Sequence, residues 1–190
     1  MTASFPAFKE WHAIVEALGS GKQLLILRKG GISEKRGGFD AARAGRFWLF
    51  PTQFHAQVEK TKPAAARFFS APSVPAEGRI TLRYFADITH HAFLADWNTV
   101  AALDPHHLWT ESAVREKFDW AQPPGLHAFI VRVHRLVAPL TIPLTADMGG
   151  CKSWIDVPPS FSDTSSAPVL PDDRFATLSA HVKQVITRAT

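Results

Sequence analysis

The chain contains few cysteine, tyrosine and methionine residues, and none of its hydrophobic runs is long. A single cysteine among 190 residues excludes an intrachain disulfide framework and any zinc site built from several cysteines. No run of about 18 apolar residues is present, which excludes a transmembrane helix. The N-terminal stretch MTASFPAFKEW lacks the basic and then apolar pattern of a signal peptide, so a cytoplasmic location is expected.

The length of 190 residues and the hydrophobic fraction of 46% suit one domain, or one domain followed by a tail. A chain of this size can bury roughly 70% of the surface that it exposes when unfolded. A core can therefore form without help from a metal or a disulfide.

Charge is distributed unevenly along the chain. Residues 1–70 contain 11 Lys/Arg and 5 Asp/Glu, a net charge of +6, whereas residues 71–190 contain 10 and 12, a net charge of −2. This pattern favours a local anionic partner over a surface that is basic throughout. The other interpretation is a soluble surface with unevenly placed charges.

The spacing of apolar residues predicts both helices and strands. Phe8, Trp11, Ile14, Val15 and Leu18 recur at helical spacing, which predicts a helix that ends at Gly19. The remaining predicted elements are strands buried on both faces at 22–29 and 46–50, half-buried strands at 79–88 and 126–136, and helices near 96–103 and after an N-cap at Thr110.

These elements predict an α+β fold, with a mixed or antiparallel sheet, or a small barrel-like sheet, and flanking helices. Residues 1–157 would form one domain, and the Pro/Ser-rich stretch 158–171 would be a linker. An amphipathic helix would occupy residues 172–190 and dock on the body or on a second copy of the chain. The order of elements is similar to that of small β-barrel modules with PUA and ASCH folds.

Several separated motifs resemble one family, the uncharacterised bacterial "domain of unknown function 1802" family. They are FKEW, EALGSGKQLLILRKGGI, FWLFPTQFH, HLWT, VRVHRL and GCKSWID, which lie between residues 8 and 157. The family has no established activity, so the resemblance implies only which residues belong together. Those residues are Lys9, Glu10, Glu16, Arg28, Lys29, Gly30, Gly31, Pro51, Thr52, His55, His107, Trp109, Thr110, Arg132, Lys152, Ser153 and Trp154.

The first candidate site is the sequence RKGGI at the end of a buried strand. Arg28 and Lys29 supply two cations, and the backbone of Gly30 and Gly31 can approach an anion closely. The spacing is neither that of a Walker loop nor that of a dinucleotide fingerprint. The alternative interpretation is a tight turn with solvated charges.

The second candidate site follows the strand at 46–50. Thr52 could cap a short helix, and His55 could act as an acid, a base or a metal ligand. Nine histidines are present, but none lies in an H-E-x-x-H helix or at a zinc-ligand spacing. A site that combines His12, His55, His107 and Glu16 from separate segments stays open, and the sequence assigns no metal or cofactor.

The third candidate site is GCKSWID. Lys152, Ser153 and Trp154 offer a cation, a hydroxyl and a stacking surface, and Trp109 offers a second stacking surface beside polar residues. The neighbouring Cys151 is expected to be a buried, inert thiol because no base is specified nearby. Arg132 would add a cation that is either paired in the interior or directed into a pocket.

These sites support two kinds of function. The first is a module that binds nucleic acid or a phosphorylated, nucleotide-like molecule, with Arg28, Lys29 and Lys152 neutralising phosphate while Trp109 or Trp154 stacks on a base. The alternative is a hydrolase or phosphodiesterase-like enzyme, in which Glu16, His55 or His107 would be the catalytic candidates and arginines would stabilise an anionic transition state. No membrane partner is expected.

Overall fold

Seven strands form one mixed sheet in the part of the chain that the structure, a computed structural model, describes. That part comprises residues 5–28, 45–53, 55–69, 78–120, 123–150, 152–158 and 165–188. The strands are β1 (Phe5–Trp11), β2 (Leu25–Arg28), β3 (Arg46–Thr52), β4 (Arg79–Leu94), β5 (Leu126–Pro143), β6 (Trp154–Val157) and β7 (Ser166–Pro168). The α-helices are α1 (His12–Gly19), α2 (Trp97–Ala102), α3 (Glu111–Asp119) and α4 (Asp172–Thr187).

The strand order is β2-β5-β4-β3-β1-β6, and β7 pairs with the other part of β5. All pairs are antiparallel except β1 with β3. Among the described residues β2 and β6, the two ends of this path, do not pair, so the sheet is not closed. The α+β class with a mixed sheet and flanking helices is thereby confirmed.

The first strand replaces the beginning of a predicted helix. Phe8 and Trp11 lie in β1, and the helix begins only at His12, so the prediction was wrong for residues 8–11. The spacing of these residues is compatible with a helix, but β1 gains backbone partners on both sides, with Phe8 opposite Leu49 in β3 and Trp154 in β6. Tertiary pairing therefore overrides the local pattern.

Both faces of the central strands are buried, as the continuous apolar run at 46–50 predicted. Phe47 and Leu49 belong to the larger core, which α1, α3 and α4 cover, whereas Trp48 and Phe50 belong to a smaller core on the opposite face. Trp48 has no exposed surface. Alternate residues of one strand thus enter two cores.

The strands β4 and β5 form a long antiparallel pair that extends beyond the predicted ranges. The register shifts once between Leu82 and Tyr84 and again between Ile88 and His90. At the second shift Thr89 donates a side-chain hydrogen bond of 3.0 Å to the carbonyl of Ile130. Such irregularities bend and twist a strand, which allows the sheet to curve around the larger core.

The helices α2 and α3 begin at side-chain N-caps. The Asp96 carboxylate accepts from the backbone N–H of Thr99 at 2.9 Å, and the Thr110 hydroxyl accepts from that of Ala113 at 3.3 Å. Each bond satisfies a backbone donor that has no partner within the helix. No helix of the described residues is long and apolar enough to cross a membrane.

The C-terminal segment is joined to the body by a strand and by a buried helix face. Residues 166–168, within the stretch expected to be a linker, form β7 against β5. Val182 and Ile186 of α4 are buried in the larger core. Arg132 donates to the carbonyl of Leu170 at 3.0 Å and pairs with Asp172. The apolar stripe of α4 therefore packs on the body.

Truncating the buried face of α4 should destabilise the whole domain. We expect Ile186→Ala to lower the free energy of unfolding by about 2–4 kcal/mol, because Ile186 is buried and its removal leaves a cavity. The matched control is Val137→Ala, at a position 75% exposed, with an expected change below about 0.5 kcal/mol. Urea unfolding followed by circular dichroism measures both. An equal, small effect of the two substitutions would contradict the packing of α4.

Candidate functional site

A cleft opens where the curved sheet fails to close. One side chain from each strand of the six-strand path lines it: Phe8, Ile26, Phe47, Ile88, Phe129 and Trp154. About 10 Å³ of the cleft is open to a water-sized sphere, which is room for about one water molecule. The lining side chains therefore nearly fill the cleft.

Three aromatic rings form one wall of the cleft. The Trp154 ring lies 5.0 Å from the Phe8 ring and 5.1 Å from the Phe47 ring, measured between centroids, and the latter pair is nearly perpendicular. Phe8 and Phe47 also meet edge to face at 6.0 Å. Edge-to-face packing fixes the orientation of each ring, so the three rings form a defined wall.

Arg28 spans the gap between the two ends of the sheet. It is the last residue of β2, and its guanidinium carbon lies 5.3 Å from the Phe8 centroid and 5.5 Å from the Trp154 centroid. The side chain is half-buried. Both are cation–π contacts, and they hold the guanidinium beside the aromatic wall.

Two histidines lie beside Arg28 on the opposite wall. His127 is the register partner of Arg28, and its Nδ1 atom lies 2.8 Å from Nε2 of His91, within hydrogen-bond distance. The His91 ring stacks on Phe129 at 4.6 Å with an interplanar angle of 15°. Burial lowers the pKa of both histidines. The pKa of His91 is lowered further by His90, and that of His127 by His91 and Arg28. The pair is therefore neutral near pH 7.

A buried carboxyl group follows Phe8 on the same face of β1. Glu10 is 7% exposed, and its Oε1 atom accepts from the backbone N–H of Trp11 at 2.7 Å. Burial raises the pKa of Glu10, while the positive charges of Lys117 and Arg28 and the Trp11 hydrogen bond oppose that shift. Thr52 donates from its hydroxyl to the carbonyl of Glu10 at 3.0 Å, which fixes the carboxyl end of β1 against β3.

The segment before β6 is held by a lysine from β1. The Lys9 ammonium group donates to the carbonyls of Met148 at 2.9 Å and Gly150 at 2.8 Å. The backbone N–H of Lys9 donates to the carbonyl of Ser153 at 2.8 Å. These bonds position Trp154 at the cleft, whereas the side chain of Lys152 is exposed.

The structure brings together only some of the residues singled out in the sequence. Arg28 and Trp154 meet at the cleft, with Ser153 next to Trp154 in the chain, whereas Arg132 contacts Asp172 and the Phe175 ring. The predicted residues Lys29, Gly30 and Gly31 lie outside the described residues, as does Cys151.

The region of His107 and Trp109 is a buried core rather than an open surface. Trp109 has no exposed surface, and the Lys117 ammonium lies 4.0 Å from its ring centroid. His107 is 4% exposed, and its ring packs against Trp109 at 5.6 Å. Burial, with the nearby charge of Lys62, lowers the pKa of His107 to about 3.

The candidates for acid–base chemistry lie elsewhere. Glu16 accepts a hydrogen bond of 2.9 Å from the Tyr84 hydroxyl and lines a second pocket with His12 and Arg83. That pocket shares no lining residue with the aromatic cleft. His55 begins a short 3-10 helix, His55–Gln57. In the described ranges no group of three or more His, Cys, Asp or Glu side chains is arranged to hold a metal ion.

Sequence reasoning missed much of the cleft. Phe8 was placed in a helix and Phe47 in a strand buried on both faces, and the pairing of His91 with His127 was not found. Alternation does place His91 and His90 on opposite faces, and His91 and Phe93 on one face. The sequence therefore indicates the face of the sheet on which His91 lies. It does not indicate which neighbouring strand supplies the partner of His91.

The fold and the cleft define an α+β domain with an open, curved mixed sheet. Aromatic side chains and Arg28 lie between the two ends of that sheet. The chain belongs to the family described as "Domain of unknown function (DUF1802)", which matches residues 7–181. The resemblance seen in the sequence motifs is thereby confirmed.

Solved structures of an ASCH protein from Zymomonas mobilis are similar to this chain. The structure titled "Crystal structure of ASCH from Zymomonas mobilis" has 16% sequence identity and a TM-score of 0.43, covering 92% of this chain and 93% of its own. Two single-substitution mutants of that protein have 15% and 16% identity, with TM-scores of 0.44 and 0.42. They cover 92% of this chain and 94% and 96% of their own. No curated protein matches the chain.

The burial of His107 should make the domain sensitive to acid. Between the ordinary pKa of 6.5 and about 3, the unfolded chain binds a proton at His107 that the folded chain does not. The free energy of unfolding should therefore fall as the pH falls, by up to about 1.4 kcal/mol per pH unit from this residue. Urea unfolding at a series of pH values in this window measures the slope. We expect His107→Gln to flatten it, and an unchanged slope would contradict the assignment.

Proposed function

We propose that the aromatic cleft binds a nucleotide-like anionic ligand, either free or as part of a nucleic acid, and that the protein is a binding module. The observation that carries this proposal is the position of Arg28 over Phe8 and Trp154 at the open seam of the sheet. A cation beside an aromatic slot is complementary to a phosphate attached to a planar base.

The chemistry of a guanidinium group supports phosphate as the anion. A guanidinium carries several N–H donors in one plane, and this arrangement matches the oxygens of a phosphate. Lys29 follows Arg28 directly in the sequence, and residues 1–70 have a net charge of +6. Arg28 and Lys29 would neutralise phosphate in this proposal, and the backbone of Gly30 and Gly31 would allow its close approach.

The aromatic wall supports a base as the planar group. Stacking on aromatic side chains tolerates every base because each base presents a π-face. Trp154 is half-buried, whereas Trp109 is fully buried. We therefore assign the stacking role to Trp154. Lys152 and Ser153, which precede it, would lie at the rim of the site.

Removing the charge of Arg28 should weaken binding and its dependence on salt. We expect Arg28→Gln to lower affinity for a short single-stranded RNA or DNA about tenfold or more at low salt. The slope of log K against log salt concentration should become shallower by roughly 0.7–0.9, the contribution of one phosphate contact. Fluorescence anisotropy across a salt titration measures both quantities.

The control for Arg28→Gln is Arg174→Gln, which removes the same charge from an exposed position of α4. Its affinity should stay within about twofold of the wild-type value, because long-range effects of one exposed charge are screened by salt. Equal effects of the two substitutions would assign binding to overall charge and contradict the cleft. No binding by the wild-type protein at low salt would contradict the proposal as a whole.

Replacing Trp154 should remove the stacking surface and leave the charge in place. We expect Trp154→Leu to weaken the free energy of binding by about 1–3 kcal/mol, the usual contribution of one base stacked on an aromatic ring. The slope of log K against log salt concentration should not change. Trp154→Phe, which keeps a ring, is the matched control and should retain most of the affinity. Anisotropy at one low salt concentration, with circular dichroism to verify folding, is sufficient. Equal losses for Leu and Phe would argue against stacking.

A further inference from the structure

A second aromatic surface begins inside the cleft and ends at an exposed ring. Phe129 lines the cleft, His91 stacks on it, and His127 lies 5.1 Å from His91 with an interplanar angle of 19°. The ring of Phe93 then lies 5.0 Å from that of His127. Phe93 is 50% exposed. We call these four residues, Phe129, His91, His127 and Phe93, the ring ladder.

We propose that the exposed end of the ring ladder, at Phe93, is a second base-stacking subsite, so that the ligand is single-stranded nucleic acid of at least two nucleotides rather than a free mononucleotide. This inference rests on the proposed function of the cleft. It assigns a role to Phe93, a large apolar side chain that the structure leaves half in solvent.

The position of Arg28 connects the two subsites. Arg28 is the register partner of His127 on one side, and Phe93 is the register partner of His127 on the other. Directly paired residues point to the same face of a sheet, so Arg28, His127 and Phe93 form a row across three strands, about 10 Å from end to end at the usual strand spacing. A phosphate bound by Arg28 would thus lie between a base in the cleft and a base on Phe93.

The small size of the cleft favours the same conclusion. About 10 Å³ of it is open to a water-sized sphere, so a second base of a bound strand must lie outside the cleft. The exposed face nearest to Arg28 along this row is that of Phe93. A base paired in a duplex could not reach both surfaces, because stacking on side chains requires bases that are unstacked from their neighbours.

Phe93 is held in place by the loop before β5. A methyl group added to Gly125 would lie 2.3 Å from Cζ of Phe93, so the ring packs directly over this glycine. The backbone of Gly125 also has a φ of 159°. The Phe93 ring is thus placed against Gly125 on one side and beside His127 on the other.

The test compares two ligands and three variants of the full chain. The ligands are uridine monophosphate and a fluorescent single-stranded RNA hexanucleotide, with the matching duplex as a third probe. The variants are Phe93→Leu, which keeps an apolar side chain without a π-face, Phe93→Tyr, which keeps the ring, and Val137→Ala, an exposed apolar position about ten residues along β5 from His127.

We expect Phe93→Leu to weaken hexanucleotide binding about five- to hundredfold, the loss of one stacked base, and to leave mononucleotide binding within about twofold. Phe93→Tyr and Val137→Ala should retain hexanucleotide affinity, and the duplex should bind weakly. Ultraviolet crosslinking of a bromouridine-substituted hexanucleotide to the wild-type chain should label Phe93, a result that does not depend on how any variant folds.

Unchanged hexanucleotide binding in Phe93→Leu, with a loss in Trp154→Leu, would overturn the second subsite and leave the proposed function intact. Absence of any binding by the wild-type chain would overturn both. Equal losses of mononucleotide and hexanucleotide affinity in Phe93→Leu would assign Phe93 to the shape of the cleft and overturn its role as a separate subsite.

Discussion

The contact of Arg28 with Phe8 and Trp154 joins two parts of the sheet that the backbone leaves apart. The described residues of β2 and β6 share no ladder, so the two ends of the strand path meet only through side chains. Unpaired edge strands expose donors and acceptors and usually need cover. Here aromatic rings and the guanidinium of Arg28 lie between the two unpaired strands. The same side chains form the cleft and place a positive charge at its edge.

That arrangement explains why the candidate site is shared among so many strands. Each strand of the path supplies one lining side chain, and none supplies a compact motif. The parallel register of β1 with β3 sets Phe8 beside Leu49, and β6 adds Trp154 on the other side of β1. Glu10 follows on the same face, where Arg28 and Lys117 offset part of the cost of burying its charge.

Local sequence signals predicted elements well where local forces decide them. The continuous apolar run of β3, the helix near 96–103 and the cap at Thr110 depend on neighbours in sequence, and all were found. The assignment failed at Phe8, because its strand exists through pairing with residues about 40 and 145 positions later. Spacing alone does not encode such partners.

The candidate site was likewise predictable only where local sequence decides the structure. Arg28 could be proposed from its position at the end of a predicted strand and Trp154 from its polar neighbours, but their mutual contact depends on the curvature of the sheet. The sequence marked Trp109 as a stacking surface because polar residues flank it. Lys117 and His107 cover its ring in the folded chain, which no pattern within HLWT indicates. His91 and His127 meet because β4 and β5 pair in one register after an irregularity at Ile88.

The wide separation of the cleft residues along the chain has a consequence for synthesis on the ribosome. Phe8 and Arg28 are made early, whereas Trp154 is added more than 120 residues later and α4 follows it. A nascent chain that ends before Trp154 therefore lacks one wall of the cleft, so a ligand of the kind proposed could find both walls only after Trp154 has been made and β6 has paired. Since a ligand that binds only the native state stabilises it by mass action, occupancy of the cleft would protect the finished protein and give no support to its nascent fragments.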